Sequence, residues 1–253
     1  DLLLDAEADA AQAIQIVRED LHAIPSEVDL AAAEIELARE GDRYLRLHNH
    51  LDRLGDRYDV VLIDCPPSLG LLTINGLACA QEVIVPMQAH FLALQGVSKL
   101  LDTVSMMAAQ VNPRLRVSGV VLCMHDATTR LAGEVVADLE AFFEQSRQAE
   151  VPWRDARILE PHIRRNIKVA EAPSFGQSIF DYEPTCAGAK DYRALAETVL
   201  HLNDRRLAAA MPPDRAAAGD VEPQPAENDA TDLVIVTEQV DRDYIAKLVE
   251  DEG

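Results

Sequence analysis

The chain has 253 residues, of which 48% are apolar and 26% charged, enough to build a sizeable core. No apolar run approaches the ~18 residues needed to span a bilayer, and the acidic start DLLLDAEADA lacks the basic region of a signal peptide. The net charge of −21 argues against a surface that coats nucleic acid as a whole and leaves only a local basic patch to be sought by position.

Aromatic residues make up only 4%, so aliphatic side chains must fill the core. Strand-like apolar runs lie at Leu21–Pro25, Tyr58–Asp64, Glu82–Met87, Val117–Met124 and near Arg157–Ile163. Helical patterns separate them at Asp42–Leu54, Leu72–Ala80, Ala93–Val111, Leu131–Gln145 and Ala187–Arg206. VVLI and VVLC are continuous runs rich in β-branched residues, as expected of strands covered on both faces. Strand then helix, repeated, predicts an α/β fold with a doubly wound, mostly parallel sheet. Leu100, Leu101, Val104, Ala108 and Val111 form an apolar stripe beside Met106 and Met107, which reads as core.

Residues 1–210 form the expected domain. From Met211 to Thr231 the chain is rich in Pro, Ala and acids, and reads as a disordered linker. Residues 232–253 form a short acidic tail: a β-like run at Leu233–Val236, then Tyr244, Ile245, Leu248 and Val249 at helical spacing. Pro212 to Gly253 carry 12 acidic and 3 basic residues, so the tail holds much of the negative charge. Cys65, Cys79, Cys123 and Cys186 are too few and scattered for a disulfide framework and contain no CxxC pair, which leaves reduced thiols as the expectation. His48, His50, His90, His125 and His162 show no metal-ligand spacing on one element.

Ligands of doubly wound sheets sit at the carboxyl ends of strands. The sharpest such end is VVLIDCPPSLG, where four apolar residues deliver Asp64 as the strand leaves the core. Pro66 and Pro67 hold an extended loop, and Gly70 gives it a flexible point before the next helix. A carboxylate there suits Mg²⁺, which keeps its waters and takes few protein ligands. An Asp that merely caps the turn would give the same local pattern.

The longer string YDVVLIDCPPSLGLLTINGLACAQEVIVPMQAHFLALQGVSKLLDTV resembles the ParA/Soj group of chromosome- and plasmid-partitioning ATPases, relatives of MinD in the deviant-Walker P-loop class. IPSEVDLAAAEIEL, VVLCMHDATTRLAGEV and IRRNIKVAEAPSFGQSIFDYEPTCAGAKDYRALAETV resemble further family segments in the same order, over about residues 20–200. The resemblance implies a P-loop NTPase fold, ATP with Mg²⁺, and an ATP-dependent homodimer. It further implies non-specific DNA binding on the nucleoid, a ParB-like partner, a cytoplasmic location and no membrane. It puts Asp64 at the Walker B position, contacting Mg²⁺ through water. Pro66, Pro67, Ser68 and Gly70 become the switch that feels the γ-phosphate, while Asn166, with Arg164 beside it, becomes the adenine-edge contact.

The family's phosphate loop, G-x-x-x-x-G-K-[ST], does not occur: none of the eleven glycines is followed by Lys. Nor does the resemblance find the family's water-positioning Asp. The expectation is a chain that begins downstream of the first strand and, as written, does not hydrolyse ATP. For DNA, the resemblance singles out Arg165, within Ile163-Arg164-Arg165-Asn166, where the family has Pro in place of Arg164. A second basic position of the family holds Thr128, with Arg130 two residues on. Arg114, Arg116, Arg130, Arg164, Arg165 and Lys168 are the candidates for one phosphate-gripping patch. Two other readings remain at this point: a MinD-like positioning ATPase, disfavoured by the acidic tail, and a non-catalytic scaffold that binds proteins.

Overall fold

The computed structural model describes residues 2–26, 30–66, 68–210 and 231–236, without the side chains of 31, 56, 91–95, 203–210 and 231–236. The rest of the expected linker and the helical half of the tail lie outside the described residues. The strands are β1 (Gln15–Arg18), β2 (Leu21–Ala23), β3 (Val60–Cys65), β4 (Glu82–Gln88), β5 (Arg116–Cys123), β6 (Arg157–Leu159) and β7 (Thr231–Val236). The helices are α1 (Ala10–Ala13), α2 (Leu30–Leu37), α3 (Arg46–Asp52), α4 (Leu71–Cys79), α5 (Phe91–Gln110), α6 (Arg130–Ser146), α7 (Ile167–Glu171), α8 (Ile179–Tyr182) and α9 (Ala187–Ala210).

β3 to β7 join in the order β3-β7-β4-β5-β6. The pairings of β4 with β7 and of β5 with β6 are parallel, with Val83 opposite Val234 and Val120 opposite Ile158. The tail run at Leu233–Val236 therefore forms a strand and takes a place in the main sheet. One expected strand goes elsewhere. Leu21–Ala23 pairs antiparallel with Gln15–Arg18 in a separate two-stranded sheet. A run of three to five apolar residues carries no information on its partner, and here the nearest segment in sequence supplies it.

The chain divides into two compact units. The first comprises Asp1–Val85, Lys99–Val117 and Asp232–Gly253. Its core includes Leu37, Leu77, Val83, Leu101, Val104, Met107 and Leu115, each no more than 3% exposed. Side-chain amides tie its elements together. Asn75, fully buried, donates to the carbonyls of Arg43 (2.6 Å) and Leu71 (2.9 Å) and accepts from the Leu47 amide (3.1 Å). Asn112 does the same for the end of α4, donating to the carbonyls of Leu77 and Ala80. The stripe on α5 is buried at Leu100, Leu101, Val104 and Met107, while Met106 is exposed.

The second unit comprises Pro86–Ser98 and Ser118–Thr231. β5 is buried along six consecutive residues, Val117 to Leu122, as its composition predicts. α6 starts where the Thr129 hydroxyl accepts from the Ala132 amide (3.3 Å). It then buries Ala132, Val135, Leu139 and Phe143, one stripe at helical spacing. Gly119 is obligatory for the β5–β6 approach, since a Cβ there would overlap the Arg157 carbonyl oxygen.

β3 departs from expectation. Its residues alternate, with Val60, Leu62 and Asp64 exposed and Val61, Ile63 and Cys65 more covered. Leu62 is 60% exposed. Among the described strands β3 lies at the end of the order, and one face lacks the cover that the VVLI run predicts. The period of two then separates the faces.

Candidate functional site

The first unit carries the candidate metal and switch residues. Asp64 is the penultimate residue of β3, exposed and on the same face as Val60 and Leu62. Cys65 turns the other way, 3% exposed, with its sulfur against α4: a Cβ on Gly76 would lie 2.8 Å from it. Burial, reinforced by the Asp64 charge, pushes the Cys65 thiol up to about 12. It is a packing residue, not a nucleophile.

The loop after Asp64 is held by a residue that sequence reasoning did not single out. Thr73, fully buried on α4, donates its hydroxyl to the Ser68 carbonyl at 2.6 Å, with the Pro66 carbonyl at 3.3 Å. Ser68 remains exposed, and Pro67 lies outside the described residues. Gly70 takes the N-cap position of α4 in extended backbone, φ −90°. The Glu34 carboxylate accepts from the Leu71 amide at that helix start, and a Cβ on Gly70 would overlap Glu34. Gly70 therefore serves close approach, and Glu34 satisfies a donor at the positive end of the helix. Only a glycine just before a helix hinted at this in the sequence; the 37 residues from Glu34 to Leu71 hid the partner.

The second unit carries the base-edge and basic candidates. The backbone is pinned first: Ile163 donates to the Leu122 carbonyl (2.8 Å), and His125 donates to that of Ile163 (2.9 Å). Met124 adopts a left-handed φ of 49° where β5 gives way to this loop. The His125 and His162 rings meet edge-on at 4.5 Å, and burial followed by the His125 neighbour lowers the His162 pKa. Asn166 caps α7, its side-chain oxygen accepting from the Lys168 amide at 2.8 Å. One of the two lone pairs of the oxygen is thereby engaged, and the NH₂ can donate to a base.

Three of the six basic candidates have carboxylate partners. Arg164 makes a fork with Asp191, Nε to Oδ2 at 2.9 Å and Nη2 to Oδ1 at 2.7 Å. Lys168 pairs with Glu171 at 2.9 Å, and Arg130, 92% exposed, with Glu134 at 2.8 Å. The Thr128 hydroxyl is taken up by Asp126 at 2.6 Å. Arg165 is exposed and makes no ion pair among the described residues. Arg114 and Arg116 belong to the first unit, where Arg116 donates to the Pro113 and Leu115 carbonyls.

Whether these residues suit Mg²⁺ and ATP turns on donor chemistry. An exposed carboxylate at a strand end suits a hydrated Mg²⁺, and an amide with an uncommitted NH₂ suits a base edge. Both fit. The phosphate-cradling pattern is not in this sequence.

Comparison with curated proteins shows the family, and a family model and solved structures also match. A family model described as AAA domain matches residues 1–117. The chromosome-partitioning ATPase Soj of Treponema pallidum is 41% identical over 187 residues, 74% of this chain and 70% of that protein. The chromosome partitioning protein ParA of Caulobacter vibrioides is 39% identical over 193 residues, 75% and 68% of the two chains. Among solved structures, a cobyrinic acid a,c-diamide synthase of Mycobacterium smegmatis, with bound ATP analogue and magnesium, is similar. It has a TM-score of 0.63 at 32% identity, covering 79% of this chain and 70% of that one. Apo McdA of Cyanothece shares the fold, with a TM-score of 0.64 at 18% identity over 78% and 75% of the chains. With DCPPSLG at the end of β3 and Asn166 capping α7, this chain belongs to the ParA/Soj family of partitioning ATPases.

Proposed function

We propose that the protein works as an ATP- and Mg²⁺-dependent partitioning ATPase that grips DNA without reading its sequence. Asp64 carries this reading. It is an exposed carboxylate placed by an apolar strand directly ahead of a loop whose carbonyls are anchored by buried Thr73.

Magnesium, when bound, would supply positive charge against the phosphate oxygens. Asp64 would hold the metal through its water shell, and the residue is exposed where it would do so. The Ser68–Gly70 stretch, which Thr73 ties to α4 through the Ser68 carbonyl, is the proposed switch sensitive to the terminal phosphate. Asn166 donates its NH₂ to the base. Residues outside this sequence would have to cradle the phosphates, because its glycines and lysines do not form that pattern.

DNA contact falls chiefly to Arg165, exposed and in no close ion pair among the described residues, its charge felt by Asp126, with Lys168 and Arg130 as weaker contributors. Arg164 is committed to Asp191 and contributes least. Phosphate contacts of this kind give affinity that falls with salt and ignores sequence. The homodimer and a ParB-type partner complete the proposal on the strength of the family.

The test is binding of random-sequence duplex DNA by the natural protein, including whatever precedes Asp1 in its reading frame, with and without Mg·ATP. Salt-sensitive, ATP-dependent binding that Arg165→Glu reduces at least tenfold is expected. Binding unaffected by ATP and by Arg165→Glu contradicts the proposal.

A further inference from the structure

The second unit holds a buried charge that the proposed chemistry does not use. Asp191, on α9, is 6% exposed. It accepts three hydrogen bonds, all from Arg164: the backbone amide at 3.2 Å, Nε at 2.9 Å and Nη2 at 2.7 Å. A pair made through side chains alone would leave the main chain free to move. This one also takes the peptide N–H, so it fixes the path of the backbone. The opposite flank of the same segment is tied to β5 through Ile163 and Leu122. Two residues beyond Arg164 stands Asn166, whose oxygen accepts from the Lys168 amide.

Gly188, at the start of α9, meets this amide from another side. A Cβ there would overlap Val169 Cγ2 and lie 3.4 and 3.5 Å from Asn166 Cβ and Cγ. α9 can sit against the capping Asn only because residue 188 has no side chain.

We propose that Asp191 and Gly188 are positioning residues for the base-reading amide of Asn166, Asp191 acting through Arg164 and Gly188 by direct packing. Their effect is read on the adenine contact already assigned to Asn166. The Asn166 NH₂ is a donor, which matches the acceptor ring nitrogen of adenine where guanine presents an N–H. This assignment rests on the nucleotide reading above.

Two measurements separate the parts. Hydrogen exchange on the nucleotide-free chain compares Asp191→Asn with the unaltered protein. Exchange at the Arg164 and Lys168 amides should rise at least tenfold, with Val120 and Leu122 unchanged. Arg164→Ala, which removes the two side-chain bonds and keeps the amide bond to Asp191, should still raise exchange at the Lys168 amide if Asp191→Asn does not fold. Unchanged exchange at residues 164 and 168 overturns the positioning role.

The second measurement is equilibrium binding of ATP and GTP to the natural protein. Asp191→Asn and Gly188→Ala should lower the ATP:GTP preference at least tenfold, through weaker ATP binding. Equal losses for both nucleotides identify a merely structural role and overturn the proposal. If the unaltered protein binds neither nucleotide, the nucleotide reading fails and the base assignment with it. The exchange result then still decides whether Asp191 anchors the loop.

Discussion

Two strands of this chain have nearly the same composition and opposite surroundings. Val60-Val61-Leu62-Ile63 leads to Asp64-Cys65, and Val120-Val121-Leu122 leads to Cys123. In β5, Val120 and Leu122 are fully buried, whereas in β3 Leu62 is 60% and Val60 38% exposed. β-branched runs therefore encode the strand, and its neighbours decide the burial. The difference has a chemical use. An exposed carboxylate at the end of β3 costs little, while the same Asp inside β5 would be a buried charge without a partner.

The largest expected effect breaks the comparison at its matched leucines. Leu122→Ala should destabilise by about 3 kcal/mol, because it removes a fully buried side chain and leaves a cavity. Leu62→Ala should cost less than ~1 kcal/mol. Urea denaturation of both variants measures this, and equal losses would mean that β3 is covered in solution.

A smaller effect tests the loop that β3 feeds. Thr73→Val keeps the shape but removes the donor to the Ser68 carbonyl, and should cost roughly 1–2 kcal/mol. The same variant should also expose the 66–70 loop to protease faster than the rest of the first unit. Protection equal to that of the unaltered chain would remove Thr73 from the switch.

How much of this was legible beforehand follows from the range of each interaction. The periodicity of α5 and α6 and the runs of β4 and β5 are local, and those elements form within a few residues of their expected limits. The hairpin partner of Leu21–Ala23 and the exposure of β3 depend on which segment lies alongside, which no local pattern records. Among the site residues, Asp64 and Gly70 were visible as strand end and helix start. Asp191 was not: it lies 27 residues from Arg164, inside an ordinary helical stretch. Nor was the role of Gly188, which serves close packing against Asn166 and Val169.

The two carboxylates contrast as the two strands do, Asp64 exposed and Asp191 buried. The Arg164 hydrogen bonds hold the Asp191 carboxyl below the usual carboxylate range against the opposing effect of burial. Its stabilisation is then complete above the unfolded-state pKa, near ~3.9, and fades as pH falls through the lower folded value. Asp191→Asn should flatten that part of the acid-unfolding profile, with no change in slope between pH ~5 and ~7. An unaltered acid limb would contradict the pairing.

The smallest effect concerns the thiols that close the two strands. Burial raises Cys65 to about 12 and Cys123 to about 11, so both should resist alkylation near pH ~8 until the chain unfolds. Rapid labelling of Cys65 in the native protein would mean that the α4 face of β3 opens readily.

The most direct measurement is the magnesium dependence of ATP binding by the natural protein and its Asp64→Ala variant. Binding strengthened at least tenfold by Mg²⁺ in the unaltered protein, and indifferent to Mg²⁺ in Asp64→Ala, is the predicted result. A variant that keeps the full magnesium response would show that the acid at the end of β3 has no part in holding the metal.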